Sequence, residues 1–130
     1  MRVMAPELEP EPERVHVLLV EDEVLIRTPI ADVLRGAGLV VIEASTADEA
    51  WSYLQAGGRV DLVFSDIQMP GSMDGVELAR KVQENYDHIV IILTSGKGAQ
   101  SRTNNQHHYI SKPYRSAAVL AMMISFLGQK

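Results

Sequence analysis

Five short apolar runs divide the chain, each of strand length: residues 15–20 (VHVLLV), 39–42 (LVVI), 62–64 (LVF), 89–93 (IVIIL) and 108–111 (HYIS). Near-continuous β-branched and aliphatic runs belong to strands covered on both faces, as in a parallel sheet. Between them the apolar positions recur at helical spacing. Residues 24–37 place Leu25, Ile30, Val33 and Leu34 on an inward face, stopped by Gly36 and Gly38. Pro29 lies inside that stretch and predicts a kink near residues 25–29, because proline removes a helical hydrogen bond. Thr46-Ala47-Asp48-Glu49 fits a capping box, opening a helix with Ala47, Ala50, Trp51 and Leu54 inward and ended by Gly57-Gly58. Residues 74–85 predict a third helix with Val76, Leu78, Ala79 and Val82 available to the core. The crossover at residues 95–107 has Ala99 as its only aliphatic residue, so the fourth helix is expected to be short or disordered. A final helix follows Lys112-Pro113, with Ala117, Leu120, Ile124 and Leu127 inward. Strands alternating with helices in this way predict an α/β fold, a doubly wound five-stranded parallel sheet with helices on both faces.

Every strand of such a sheet points the same way, and ligands gather beyond the carboxyl ends. The first run ends in Glu21-Asp22, the third reaches Asp66, the fourth closes at Thr94 and the fifth is followed by Lys112. Met69-Pro70-Gly71 then turns the chain away, leaving Asp66 at an edge facing a loop. Asp22 or Asp66 alone fits a helix cap or a turn. Four strands delivering three acids, a hydroxyl and an amine to one edge fit a site. Carboxylates brought together repel unless protonated or bridged by a cation, and an all-oxygen cluster suits Mg²⁺. A divalent ion with a lysine matches the spread charge of a phosphoryl group, and Asp66 itself can be the nucleophile.

LLVEDE, FSDIQMPGSMDG, ILTSG and YISKPY, in that order at those strand ends, resemble the four signatures of response regulator receiver domains of two-component systems. The resemblance covers residues 15–127, and implies the strand order 2-1-3-4-5. It implies Asp66 as phosphoacceptor, with Asp22 and Asp66 as direct Mg²⁺ ligands, Glu21 acting mainly through water, and the Gln68 carbonyl completing the protein's share. Lys112 would pair with a phosphoryl oxygen, ahead of a cis bond to Pro113. Thr94 and Tyr109 match the switch pair, the threonine moving onto the phosphoryl group as the aromatic relocates inward. The implied partners are a histidine kinase or histidine phosphotransfer protein and an unknown downstream protein, in the cytoplasm. Such a chain accepts and loses its own phosphoryl group and is not otherwise an enzyme. Two departures stand out: the loop MPGSMD is one residue longer than the common form, and the 95–107 crossover is shorter and lacks an apolar face.

Composition narrows this further. At 130 residues the chain predicts one domain, residues 15–130, behind an acidic Pro/Glu tail at 1–14 too poor in apolar residues to order itself. With no room for an output domain, a stand-alone receiver is expected. A net charge of −5 speaks against a nucleic-acid surface, and the absence of cysteine excludes disulfides and thiolate metal sites. No apolar run is long enough to cross a membrane. Ser95-Gly96-Lys97-Gly98 lacks the spacing of a phosphate loop, His107-His108 reads as a pair of solvated loop histidines, and Trp51 reads as packing. Two other functions use the same residues: a receiver-like adaptor that works without phosphorylation, and a small phosphatase with Asp66 as nucleophile.

Overall fold

Strand β1 (His16–Val20) is buried at all five positions and lies in the middle of the sheet. It pairs in parallel with β2 (Val40–Ala44) on one side and β3 (Leu62–Asp66) on the other. Beyond β3 come β4 (Val90–Ser95) and β5 (His108–Ser111), also parallel, giving the order β2-β1-β3-β4-β5. This computed structural model describes residue 10 and residues 13–96 and 107–128. The expected order is therefore the observed one, whereas the tail at 1–14 and the helix of the 95–107 crossover fall almost wholly outside the described residues. The remaining connections are helices α1 (Val24–Gly36), α2 (Ala47–Gln55), α3 (Gly75–Asn85) and α4 (Ser116–Leu127). None is long and apolar enough to cross a membrane.

Because side chains alternate along a strand, β1 feeds two cores. Leu18 and Val20 join Ala47, Ala50 and Leu54 of α2 and Leu78, Ala79 and Val82 of α3. Val17 and Leu19 join Ile30, Ala31 and Leu34 of α1 and Val119 and Met123 of α4. Phe64 of β3 and Ile110 of β5 belong to this second face. By the same alternation Glu21, Asp66 and Lys112, each two residues further on, leave the strand ends on the α1/α4 side.

The helical faces differ in part from those expected. In α1 the buried residues are Ile30, Ala31 and Leu34, while Leu25 is 88 % exposed and Val33 also faces solvent. Small Ala31 lets the helix sit close to the sheet, and the face it sets leaves Leu25 outside. The helix runs through Pro29 from Val24 to Gly36. In α4 the buried positions are Val119 and Met123, and Ala117 and Ile124 are exposed. Residues 117–124 are all apolar, so periodicity there does not single out a face. The cap of α2 is half of a capping box: Thr46 accepts from the Glu49 N–H at 3.0 Å, but Glu49 accepts from the N–H of Ser45. The full reciprocal box is at α3, between Asp74 and Glu77.

Candidate functional site

The carboxyl end of β1 presents Glu21, 2 % exposed, followed by the exposed Asp22. The tip of β3 presents Asp66, 6 % exposed. Carboxylate oxygens of the three lie within 4.8 Å of one another. Lys112, just past β5, reaches across the sheet edge with its Nζ 3.0 Å from Asp66 Oδ2 and 3.3 Å from Glu21 Oε1. Burial opposes the lysine's charge, yet the Asp66 carboxylate and then Glu21 hold its pKa above the ordinary value. Burial pushes Glu21 up, and nearby Asp66 adds to this against a backbone hydrogen bond from Glu23 and the Lys112 charge. One ammonium thus serves two acids, which is the compensation that clustered carboxylates require.

The loop after β3 is fixed from several sides. The Gln68 N–H donates to Asp66 Oδ1 at 3.3 Å, and the Gly75 N–H donates to the Ile67 carbonyl at 2.8 Å. A Cβ on Gly75 would lie 2.1 Å from the Asp66 carbonyl oxygen, so α3 begins directly against the peptide of Asp66. Ser72 donates its N–H and hydroxyl to the two Asp48 carboxylate oxygens on α2, and Met73 is buried in the core below. The longer MPGSMD loop is therefore clamped to α2.

Thr94 stands opposite Asp66 in the β3–β4 register, and its buried Oγ1 has no hydrogen-bond partner among the described residues. On the other face, the Tyr109 hydroxyl lies 2.9 Å from Ser95 Oγ and donates to the Ser95 carbonyl at 3.3 Å. The Lys112–Pro113 peptide is cis. His107 and His108 are not solvated: His107 is 8 % exposed with Nε2 3.1 Å from Gln83 Oε1 of α3, and His108 stacks on Phe126 of α4. His108 opens β5 and His107 immediately precedes it, and the two rings meet different helices, α4 and α3. Trp51 packs edge-to-face on Tyr86.

The expected residues Glu21, Asp22, Asp66, Gln68, Thr94 and Lys112 thus meet at one edge, with Tyr109 set on the opposite face of β5. Three further residues went unseen in the sequence. Asp48 and Ser95 act through contacts 24 and 14 residues away. Tyr114 was visible only as the last letter of YISKPY, though it sits edge-to-face on Phe64 beside the acids. The donor set is three carboxylates, the hard oxygen ligands that Mg²⁺ takes. A nucleophilic carboxylate, an ammonium 3.0 Å from it and an unpartnered hydroxyl across the strand can receive and hold a phosphoryl group.

The family model of the response regulator receiver domain matches residues 17–124. Response regulator protein FleR of Pseudomonas aeruginosa is 33 % identical over 119 residues, covering 87 % of this chain and 25 % of FleR. Sensor kinase CckA of Brucella abortus is 35 % identical over 104 residues, covering 75 % of this chain and 11 % of the kinase. The chain thus spans a quarter or less of either relative. A response regulator receiver protein from Sinorhizobium medicae superimposes with a TM-score of 0.83 at 27 % identity, covering 90 % of this chain and 97 % of that one. With the family model matched across nearly all of the sheet and the acids gathered at its carboxyl edge, the chain belongs to the response regulator receiver domain family.

Proposed function

We propose that this chain is a receiver that accepts a phosphoryl group on Asp66 from a histidine kinase or histidine phosphotransfer protein and thereby changes its affinity for a partner. The observation that supports it best is the Asp66–Lys112 contact of 3.0 Å inside a cluster of three carboxylates. An Asp66 carboxylate oxygen attacks phosphorus. The new O–P bond forms as the P–N bond of the donor's phosphohistidine breaks, and the electron pair leaves on the imidazole nitrogen, which takes up a proton. Glu21, Asp22, Asp66 and the Gln68 carbonyl would hold Mg²⁺, which supplies charge neutralisation at the phosphoryl oxygens. Lys112 passes from its carboxylate partners to a phosphoryl oxygen, and Thr94 Oγ1 gains the partner it lacks. Tyr109, anchored on Ser95 at the end of the same strand, carries the change toward the opposite face of the sheet. Similarity to a stretch of a sensor kinase supports a place in two-component chemistry.

The test is incubation with phosphoramidate or acetyl phosphate and Mg²⁺. Stoichiometric, acid-stable, hydroxylamine-labile phosphate is expected on the wild-type chain and none on Asp66→Asn. Label that persists in Asp66→Asn removes the assignment, and sustained turnover of a phosphomonoester would instead favour a phosphatase.

A further inference from the structure

The three acids of the site are not held alike. Glu21 and Asp66 are buried, and their carboxylates are fixed by Lys112 and by the N–H groups of Glu23 and Gln68. Asp22 is exposed, so its place at the sheet edge depends on the backbone that carries it. The peptide joining Glu21 to Asp22 lies past the end of β1 and before the start of α1. Neither element's own hydrogen bonds orient it.

Arg27, one turn into α1, reaches back to that peptide. Its Nη1 donates to the Glu21 carbonyl at 2.7 Å, and its Nε donates at 2.9 Å to Oε1 of Glu43 on β2. The same strand accepts the Glu21 N–H on the Ala44 carbonyl at 3.0 Å. Both polar groups of the Glu21 backbone are thus tied to β2, one directly and one through the guanidinium. Glu43 is braced in turn, its Oε2 accepting from Arg35 Nη1 at 2.9 Å. The planar fork of an arginine meets a carbonyl and a carboxylate together in fixed directions. Glu43 has a second effect. A guanidinium bonded to the Glu21 backbone opposes a cation at the acids, and the Glu43 carboxylate offsets that charge. Burial opposes the charge of Glu43, yet hydrogen bonds from Arg27 and Arg35 hold its pKa below the ordinary value.

We propose that Arg27 is a positioning residue of the metal site: by holding the Glu21 carbonyl it orients the Glu21–Asp22 peptide, so that Asp22 serves Mg²⁺ together with Glu21 and Asp66. This rests on the reading above that these acids hold Mg²⁺. Groups that orient a metal's ligands without touching the metal change its affinity by about 10–100-fold when they are removed.

The experiment is a Mg²⁺ titration of the whole chain followed by amide NMR, with urea unfolding of each variant in the absence of Mg²⁺. Arg27→Met keeps the apolar stem and its packing but removes the fork. Its Mg²⁺ affinity is expected to fall about tenfold. Before any Mg²⁺ is added its Asp22 amide nitrogen shifts, because that nitrogen belongs to the peptide whose carbonyl has lost its donor. Arg35→Met also takes a donor from Glu43 but does not touch Glu21, and it keeps the wild-type affinity even where it lowers stability. An Arg27→Met chain that is less stable but binds Mg²⁺ as the wild type does makes Arg27 a staple between α1 and β2, and that result overturns the proposal. Tighter binding in Arg27→Met makes the guanidinium's charge the stronger effect, and an equal loss in Arg35→Met makes the effect a general loosening of β2; either overturns it. If Mg²⁺ shifts no amide of Glu21, Asp22 or Asp66 in the wild-type chain, or if Asp22→Asn and Asp66→Asn bind it equally well, the metal site itself fails and this assignment falls with it.

Discussion

Tyr114 shows how much a single side chain's surroundings can alter its chemistry. Burial raises its pKa to about 12, and the Glu21 and Asp66 carboxylates add to this against the opposing charge of Lys112. The fold therefore favours the neutral phenol more than the unfolded chain does, where it ionises near 10. Its contribution to stability is complete below pH 10 and is lost as the pH rises toward 12. Ultraviolet titration of the four tyrosines is expected to show one component near pH 12 in the wild type and to lack it in Tyr114→Phe. A high-pH component that survives the substitution would assign it to another tyrosine. Asp66 and Lys112 were legible in sequence because each follows an apolar run directly, and position along a strand is a local property. Tyr114's hydroxyl, buried without a partner among the described residues, was not, because burial and partners depend on Phe64, 50 residues earlier in the chain.

At the scale of elements, the site is shaped by how α3 starts. Asp74 and Glu77 cap it reciprocally, and Gly75 lies so close to the Asp66 peptide that even a methyl group has no space. Alanine is ordinarily the better helix former by up to about 1 kcal/mol. At this position Gly75→Ala is expected instead to destabilise the fold by about 2 kcal/mol, the scale of overpacking, and to slow phosphoryl acceptance by shifting Asp66. Urea unfolding and phosphoramidate kinetics on the same variant check both, and unchanged stability would mean that the loop yields freely. The same scale explains the misread faces. An almost wholly apolar helix such as α4 carries little periodic signal, so contact with Val17, Leu19 and Phe64 decides which stripe is inside. Where the signal is clean, as in α2 and α3, the expected residues Ala47, Ala50, Leu54, Leu78, Ala79 and Val82 are buried, while Trp51 and Val76, also expected inward, are half-buried and pack against them.

For the whole molecule, one central strand joins two cores. Leu18 faces the α2/α3 side and Leu19 the α1/α4 side, both fully buried. Leu18→Ala and Leu19→Ala are each expected to cost about 2–5 kcal/mol, and each variant should still unfold in a single transition because neither core can open without β1. Calorimetry that resolves two transitions would show that the faces melt independently. The sequence by itself determined the elements, their alternation and the polar residues at the strand ends, because these follow from local runs and from the fixed directions of a pleated strand. Parallel crossovers then bring the ends to one edge whatever the details of packing. Only the tertiary structure decided how Lys112 divides itself between Asp66 and Glu21, which hydroxyls are left without partners, how Asp48 clamps the loop, and how closely Gly75 presses on Asp66. Those are distances between residues far apart in the chain, set by packing to within an ångström, and no local pattern carries them.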